Sequence, residues 1–160
     1  MTEPTRHQFT IPIGQTYTTT TPKSAKQTAN KTQWLNANRN NHWGDKAPAV
    51  RTWREAARKE ATRANIPTNL AAVTIDCYIY KNNKSHYDPA NLAPTFKAIV
   101  DGLVENYGIL PNDSYEYLDG PHPHHGGHIE KPHPGYIAVV ITEGIQNTPP
   151  LDLPAPPMPH

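Results

Sequence analysis

Three aspartates and two glutamates fall within one stretch, Tyr87 to Leu118 (YDPANLAPTFKAIVDGLVENYGILPNDSYEYL). Asp88 stands before a segment of helical periodicity, Asp101 lies within it, and Asp113 follows it, with Glu116 nearby. Carboxylates brought together from separate elements can hold magnesium or manganese. Such an ion supplies a nucleophilic water and neutralises the charge that develops when a phosphodiester is cut. Each acid also has a plainer structural role. Aspartate before a helix caps it, and aspartate after Pro-Asn is a common turn residue.

The surrounding pattern predicts the elements that must position these acids. His7–Ile13 alternates and reads as a first strand, and 14–33 as a long irregular connection rich in Thr, Lys, Gln and Asn. Pro48–Ile66 reads as a helix, with Val50, Trp53, Ala57, Ala61 and Ala64 on one apolar face. Pro67 stops it. Leu70–Lys81 reads as a strand with Val73, Ile75, Cys77 and Ile79 facing one side. A second helix is expected from near Asn91, with Asn91 as its cap and Pro94 in its first turn, where the missing N–H costs nothing. Leu92, Phe96, Ile99 and Leu103 form its buried stripe, and Gly108 ends it. Tyr115–Leu118 and Tyr136–Thr142 read as strands, joined by a loop with five of the nine histidines. The predicted fold is α+β: a small mixed sheet with two main helices packed on it. Residues 1–144 form one domain, and 145–160 a proline-rich tail, extended or disordered.

Composition narrows the function classes. A chain of 160 residues suits one domain. Its single cysteine, Cys77, excludes an intrachain disulfide and suits a reducing compartment. The N-terminus lacks the apolar run of a signal peptide, and no stretch is apolar enough to span a membrane. A cytoplasmic protein without membrane partners is expected. Net charge is +1, but residues 1–66 carry eleven Lys/Arg against four Asp/Glu, whereas 67–160 carry four against ten. A basic half beside an acidic half suits a protein that grips an anionic polymer and brings carboxylates to it; mutual neutralisation in the fold is the simpler alternative.

Asp88, Asn91, Leu92, Pro94, Thr95, Lys97, Asp101-Gly102-Leu103 and Asp113 follow one another in an order that resembles the signature of the RusA-type Holliday junction resolvases, in their actinobacterial and phage branch. Leu35-Asn36-Ala37-Asn38, His42-Trp43 and Trp53-Arg54-Glu55-Ala56-Ala57 resemble that branch as well, so the likeness covers roughly residues 8–143. It implies a RusA-like fold and a homodimer that binds four-way DNA junctions and cuts two strands symmetrically, using Mg2+ or Mn2+. By position it implies essential carboxylates at Asp88, at residue 90 and at Asp113; Asp101, close in sequence, is a further metal-ligand candidate. The chain departs from the pattern at Ala90, which has no oxygen to offer, and at Asn112 in the acidic turn. A lysine that some members carry falls on Pro94, and Lys97 is the catalytic lysine candidate three residues later. Three accounts of Ala90 stay open: an engineered inactivation, a natural loss that leaves a junction-binding protein, or compensation by Glu116 or Asp101.

DNA would be held through phosphates. Lys81 and Lys84 flank Asp88 in sequence, and Arg51, Arg54 and Arg58 line one helix face, with Lys59, Lys23, Lys26, Lys31 and Arg39 as further candidates. Trp34, Trp43 and Trp53 could stack on unpaired bases, although the spacing of Trp53 places it in the core. His122, His124, His125, His128 and His133 are zinc ligands by type, but their spacing fits no standard structural site, and a solvated loop is expected.

Overall fold

The computed structural model describes residues 3–20, 27–38 and 43–145. The proline-rich tail, Lys23, Lys26, Arg39 and the Trp43 side chain lie outside that description. Strand β1 (Arg6–Pro12) is followed by β2 (Thr16–Thr20), β3 (Gln27–Lys31) and helix α1 (Trp43–Arg63). Then come β4 (Val73–Lys81), a 3-10 turn (Pro89–Leu92), α2 (Ala93–Asp101), a π-helical turn (Gly102–Tyr107), β5 (Leu118–His128) and β6 (Tyr136–Glu143). The fold is α+β, as the pattern predicts. One sheet has the order β1-β6-β4-β5, and β2 and β3 form a separate two-stranded sheet. β4 runs parallel to β5 and antiparallel to β6, which pairs antiparallel with β1.

Alternation along the strands decides which face is covered. Val73, Ile75, Cys77 and Ile79 of β4, Ile137, Val139 and Ile141 of β6, and Phe9 and Ile11 of β1 are all buried. They join Trp53, Ala57 and Ala61 of α1 and Phe96 and Ile99 of α2 in one apolar cluster, so the helices cover a single face. The stripe Leu92, Phe96, Ile99 and Leu103 is buried throughout. The opposite face carries Tyr78, Tyr80 and Tyr136, with Tyr80 and Tyr136 stacked at 4.5 Å between ring centroids.

Several elements differ from expectation. The region 14–33 contains the hairpin strands β2 and β3, whose threonines and asparagines give no apolar alternation. Tyr17 is the buried apolar side chain that β2 adds to the core, at 2% exposure, and Thr19 is buried as well. Helix α1 starts at Trp43, a turn before the expected Pro48, which sits inside it. Proline there forfeits one helical hydrogen bond and is tolerated so near the start. Strand β4 starts at Val73 rather than Leu70. Asn91 is not the cap of α2. Asp88 caps the preceding 3-10 turn instead, accepting from Ala90 N at 3.0 Å, and Leu92 occupies the cap position of α2 without a side-chain bond.

Residues 115–117 form a turn, and only Leu118 of the expected Tyr115–Leu118 strand is extended. The histidine-rich segment, expected as a loop, is the edge strand β5. An edge has one unpaired side, which is where Pro121 and Pro123 can lack an N–H without breaking the sheet.

Gly102 explains how closely the two helical segments approach. A Cβ at this position would lie 2.4 Å from the carbonyl oxygen of Arg54 in α1. Gly108 closes the π-helical turn in the left-handed region, at φ 89°, and its N–H donates to Leu103 O at 2.9 Å.

Candidate functional site

Two of the sequence segments that seemed separate meet in space. Thr95 is fully buried, and its hydroxyl accepts from Leu35 N at 2.8 Å and donates to Leu35 O at 2.9 Å. Ala37 N donates to Asn91 O at 2.8 Å. The stretch before α1 is therefore tied to the start of α2 by three hydrogen bonds across more than fifty residues of sequence. The buried Thr95 hydroxyl is fully engaged there, which fixes the α2 backbone that carries Lys97 and Asp101.

Lys97 projects from α2 and gathers two of the predicted acids. Its Nζ lies 2.9 Å from Asp101 Oδ1, one helical turn on, and 2.8 Å from Asp113 Oδ2. The hydrogen bond to Asp113, then that to Asp101, holds the Lys97 ammonium above the ordinary lysine pKa. Reciprocally, the hydrogen bond from Lys97 holds the Asp113 carboxyl below the usual carboxylate range. The bridge is open to water, with the Lys97 side chain 58% and the Asp113 side chain 45% exposed. Screening there keeps its contribution below about 1 kcal/mol.

Asp88 is exposed and spends Oδ1 on the N–H of Ala90. Ala90 itself is exposed and presents only a methyl group, and Glu116 lies in the exposed turn before β5. Magnesium or manganese needs several hard oxygens converging on one point. Among the described residues no group of three or more His, Cys, Asp or Glu side chains is spaced to hold a metal ion. Asp101 and Asp113 converge instead on an ammonium that the chain supplies. The donor set does not fit a tightly held divalent ion.

The predicted phosphate contacts separate into two groups. On α1, Arg54 donates to Glu105 Oε2 at 2.5 Å and Asn106 Oδ1 at 2.9 Å, clamping the π-helical turn. Arg58 is engaged with Glu55 at 2.5 Å, and Arg63 with Glu60 at 2.6 Å. Arg51 is half-buried, and its Nε has no partner among the described residues. Helix α1 therefore pairs much of its positive charge with its own acids and with those of its neighbour. Near Asp88 the arrangement differs. Lys81 Nζ sits 4.1 Å from the centre of the Tyr87 ring and 5.5 Å from that of Trp34. Burial lowers the Lys81 pKa and raises that of Tyr87. Lys84 is exposed on the loop between β4 and Asp88.

Trp53 is buried, and its indole N–H donates to Gln33 O at 2.5 Å, so it belongs to the core. Trp34 packs against it, with 6.4 Å between ring centroids.

Three of the five histidines from His122 to His133 pair with carboxylates. His122 pairs with Asp119 at 2.9 Å, His124 with Asp76 at 2.7 Å and His128 with Glu130 at 3.3 Å. The Lys97 bridge and the histidine strand escaped the sequence reading. An i,i+4 Lys-Asp spacing on α2 was the one signal available for the bridge. Among the described residues no helix is long and apolar enough to cross a membrane. No protein-family model and no curated protein matches the chain.

Proposed function

We propose that this protein is a structure-selective binding protein for branched DNA, of the RusA resolvase type, whose cleavage centre is one carboxylate short. The observation that carries the proposal is the Lys97 bridge between Asp101 and Asp113, taken with the methyl group of Ala90. In the signature that the chain resembles, positions 88, 90 and 113 supply the carboxylates around a divalent ion. Here one ammonium bridges Asp101 and Asp113 and offsets one of their charges, and residue 90 contributes none. Junction binding survives such a change, because it depends on phosphate contacts and shape rather than on the ion. A homodimer in the bacterial cytoplasm fits this reading, since a four-way junction presents two equivalent faces to a two-fold assembly.

A second reading keeps catalysis. Asp88 and Asp113 are both exposed, so DNA phosphate oxygens could complete the shell of an ion that the protein alone holds weakly.

Binding is tested by titrating a four-way junction and a duplex of equal length, at one stated salt concentration, with chelator present. A preference for the junction of about tenfold or more, roughly 1.4 kcal/mol, is expected. Equal affinity for the two DNAs would defeat the proposal.

A further inference from the structure

Strands β4 and β5 run parallel and end together, at Lys81 and His128. Beyond their carboxyl ends the chain opens a cleft of about 410 Å³. Its lining includes Lys84, His86 and Tyr87 from the loop after β4, and His125 and His128 from β5. None of the described lining residues is acidic. The cleft is built around one hydrogen bond, between the Tyr87 hydroxyl and His125 Nδ1 at 2.5 Å. The two rings meet edge to face at 5.5 Å, and the Lys81 ammonium lies against the Tyr87 ring. Tyr87 is thus held between a cation and an imidazole, and the next residue is Asp88. With Nδ1 engaged by the hydroxyl, Nε2 is the remaining ring nitrogen of His125, available to a ligand.

A cleft lined by one ammonium and three imidazoles, with no acid in its lining, suits a tetrahedral oxyanion. The other charged groups near it are Lys81, behind Tyr87, and Glu130, 3.3 Å from His128 Nε2.

We propose that this cleft is a phosphate-binding subsite that seats one phosphodiester of the DNA strand beside Asp88. The identity of the phosphate as DNA rests on the branched-DNA reading; the affinity of the cleft for phosphate does not. A protonated imidazole carries a positive charge and donates from both nitrogens, so phosphate affinity is expected to be higher at pH 6 than at pH 8 through His125 and His128.

Two measurements on the full chain test this. First, inorganic phosphate is titrated at pH 6 while the histidine ring resonances are followed by NMR. Saturable shifts of the His125 and His128 signals are expected. They should be weakened about tenfold or more at pH 8, and lost in a Lys84→Ala/His125→Gln variant with an unchanged melting temperature. Absence of saturable shifts at pH 6, or their persistence in the variant, overturns the subsite. Second, junction affinity is compared for the chain and the same variant. A several-fold loss, larger at pH 6 than at pH 8, with a shallower salt dependence, supports a phosphodiester in the cleft. Equal junction affinity of the two proteins overturns that placement and leaves the junction reading standing. If neither protein binds junctions, the junction reading and its phosphodiester fall together, and the phosphate titration alone decides the subsite.

Discussion

The two sides of Asp88 handle charge in opposite ways. On the helical side, Lys97 satisfies Asp101 and Asp113, and Arg54 satisfies Glu105. On the strand side, Lys84 and three histidines line a cleft without an acid among them. The first arrangement is closed: each of its acids has a cation partner within the protein, and a divalent ion competes with the Lys97 ammonium to enter. The second is more open: Lys84 and His86 are exposed, and the acid partner of His128 is Glu130, outside the lining. Similar residue types therefore do different work according to whether the fold supplies the counter-charge or leaves it to a ligand.

The largest expected effect comes from breaking the helical side alone. Gly102→Ala would force a methyl group against the Arg54 carbonyl and push α1 away from the segment that carries Asp101. A loss of about 1–3 kcal/mol is expected, the range for overpacking a tight contact. Thermal unfolding checks this. Unchanged histidine signals below the transition would show that the cleft is independent of the helix crossing.

A smaller effect should come from opening the closed side. Lys97→Met removes the ammonium and leaves Asp101 and Asp113 without their shared counter-charge. Manganese affinity is expected to rise by about tenfold, measured by calorimetry, because the ion no longer competes with a tethered cation. Unchanged affinity would mean that the lysine is a bystander.

The smallest effect is on the pH dependence of stability. The folded pKa of Asp113 is depressed, so its contribution is present above the unfolded aspartate value, near 3.9, and is lost as pH falls through the lower folded value. Lys97 is raised, so its contribution is present below its unfolded value and is lost as pH rises through the folded one. Melting curves of the chain and of Lys97→Met should converge at both extremes and differ by less than about 1 kcal/mol between them.

Legibility in the sequence followed the same division. The alternation of Val73, Ile75, Cys77 and Ile79 announces β4, and the stripe from Leu92 to Leu103 announces α2, because burial of one face leaves a period. The hairpin β2–β3 left little, since its strands are mostly polar and, of the buried β2 positions Tyr17 and Thr19, one is a threonine. Strand β5 was hidden by prolines, glycines and histidines, which read as loop but are tolerated on an edge. The acids at 88, 101 and 113 were legible as candidates. That Lys97 would join two of them, and that Arg54 and Arg58 would turn to neighbouring acids, depends on tertiary geometry that no local pattern encodes.

The central claim, a junction-binding protein lacking one carboxylate, is met most directly by a cleavage assay. A synthetic four-way junction is incubated with magnesium or manganese and either the chain or its Ala90→Asp variant. The account predicts binding by both and symmetric cutting only by the variant. Efficient cutting by the chain with Ala90 in place would contradict it.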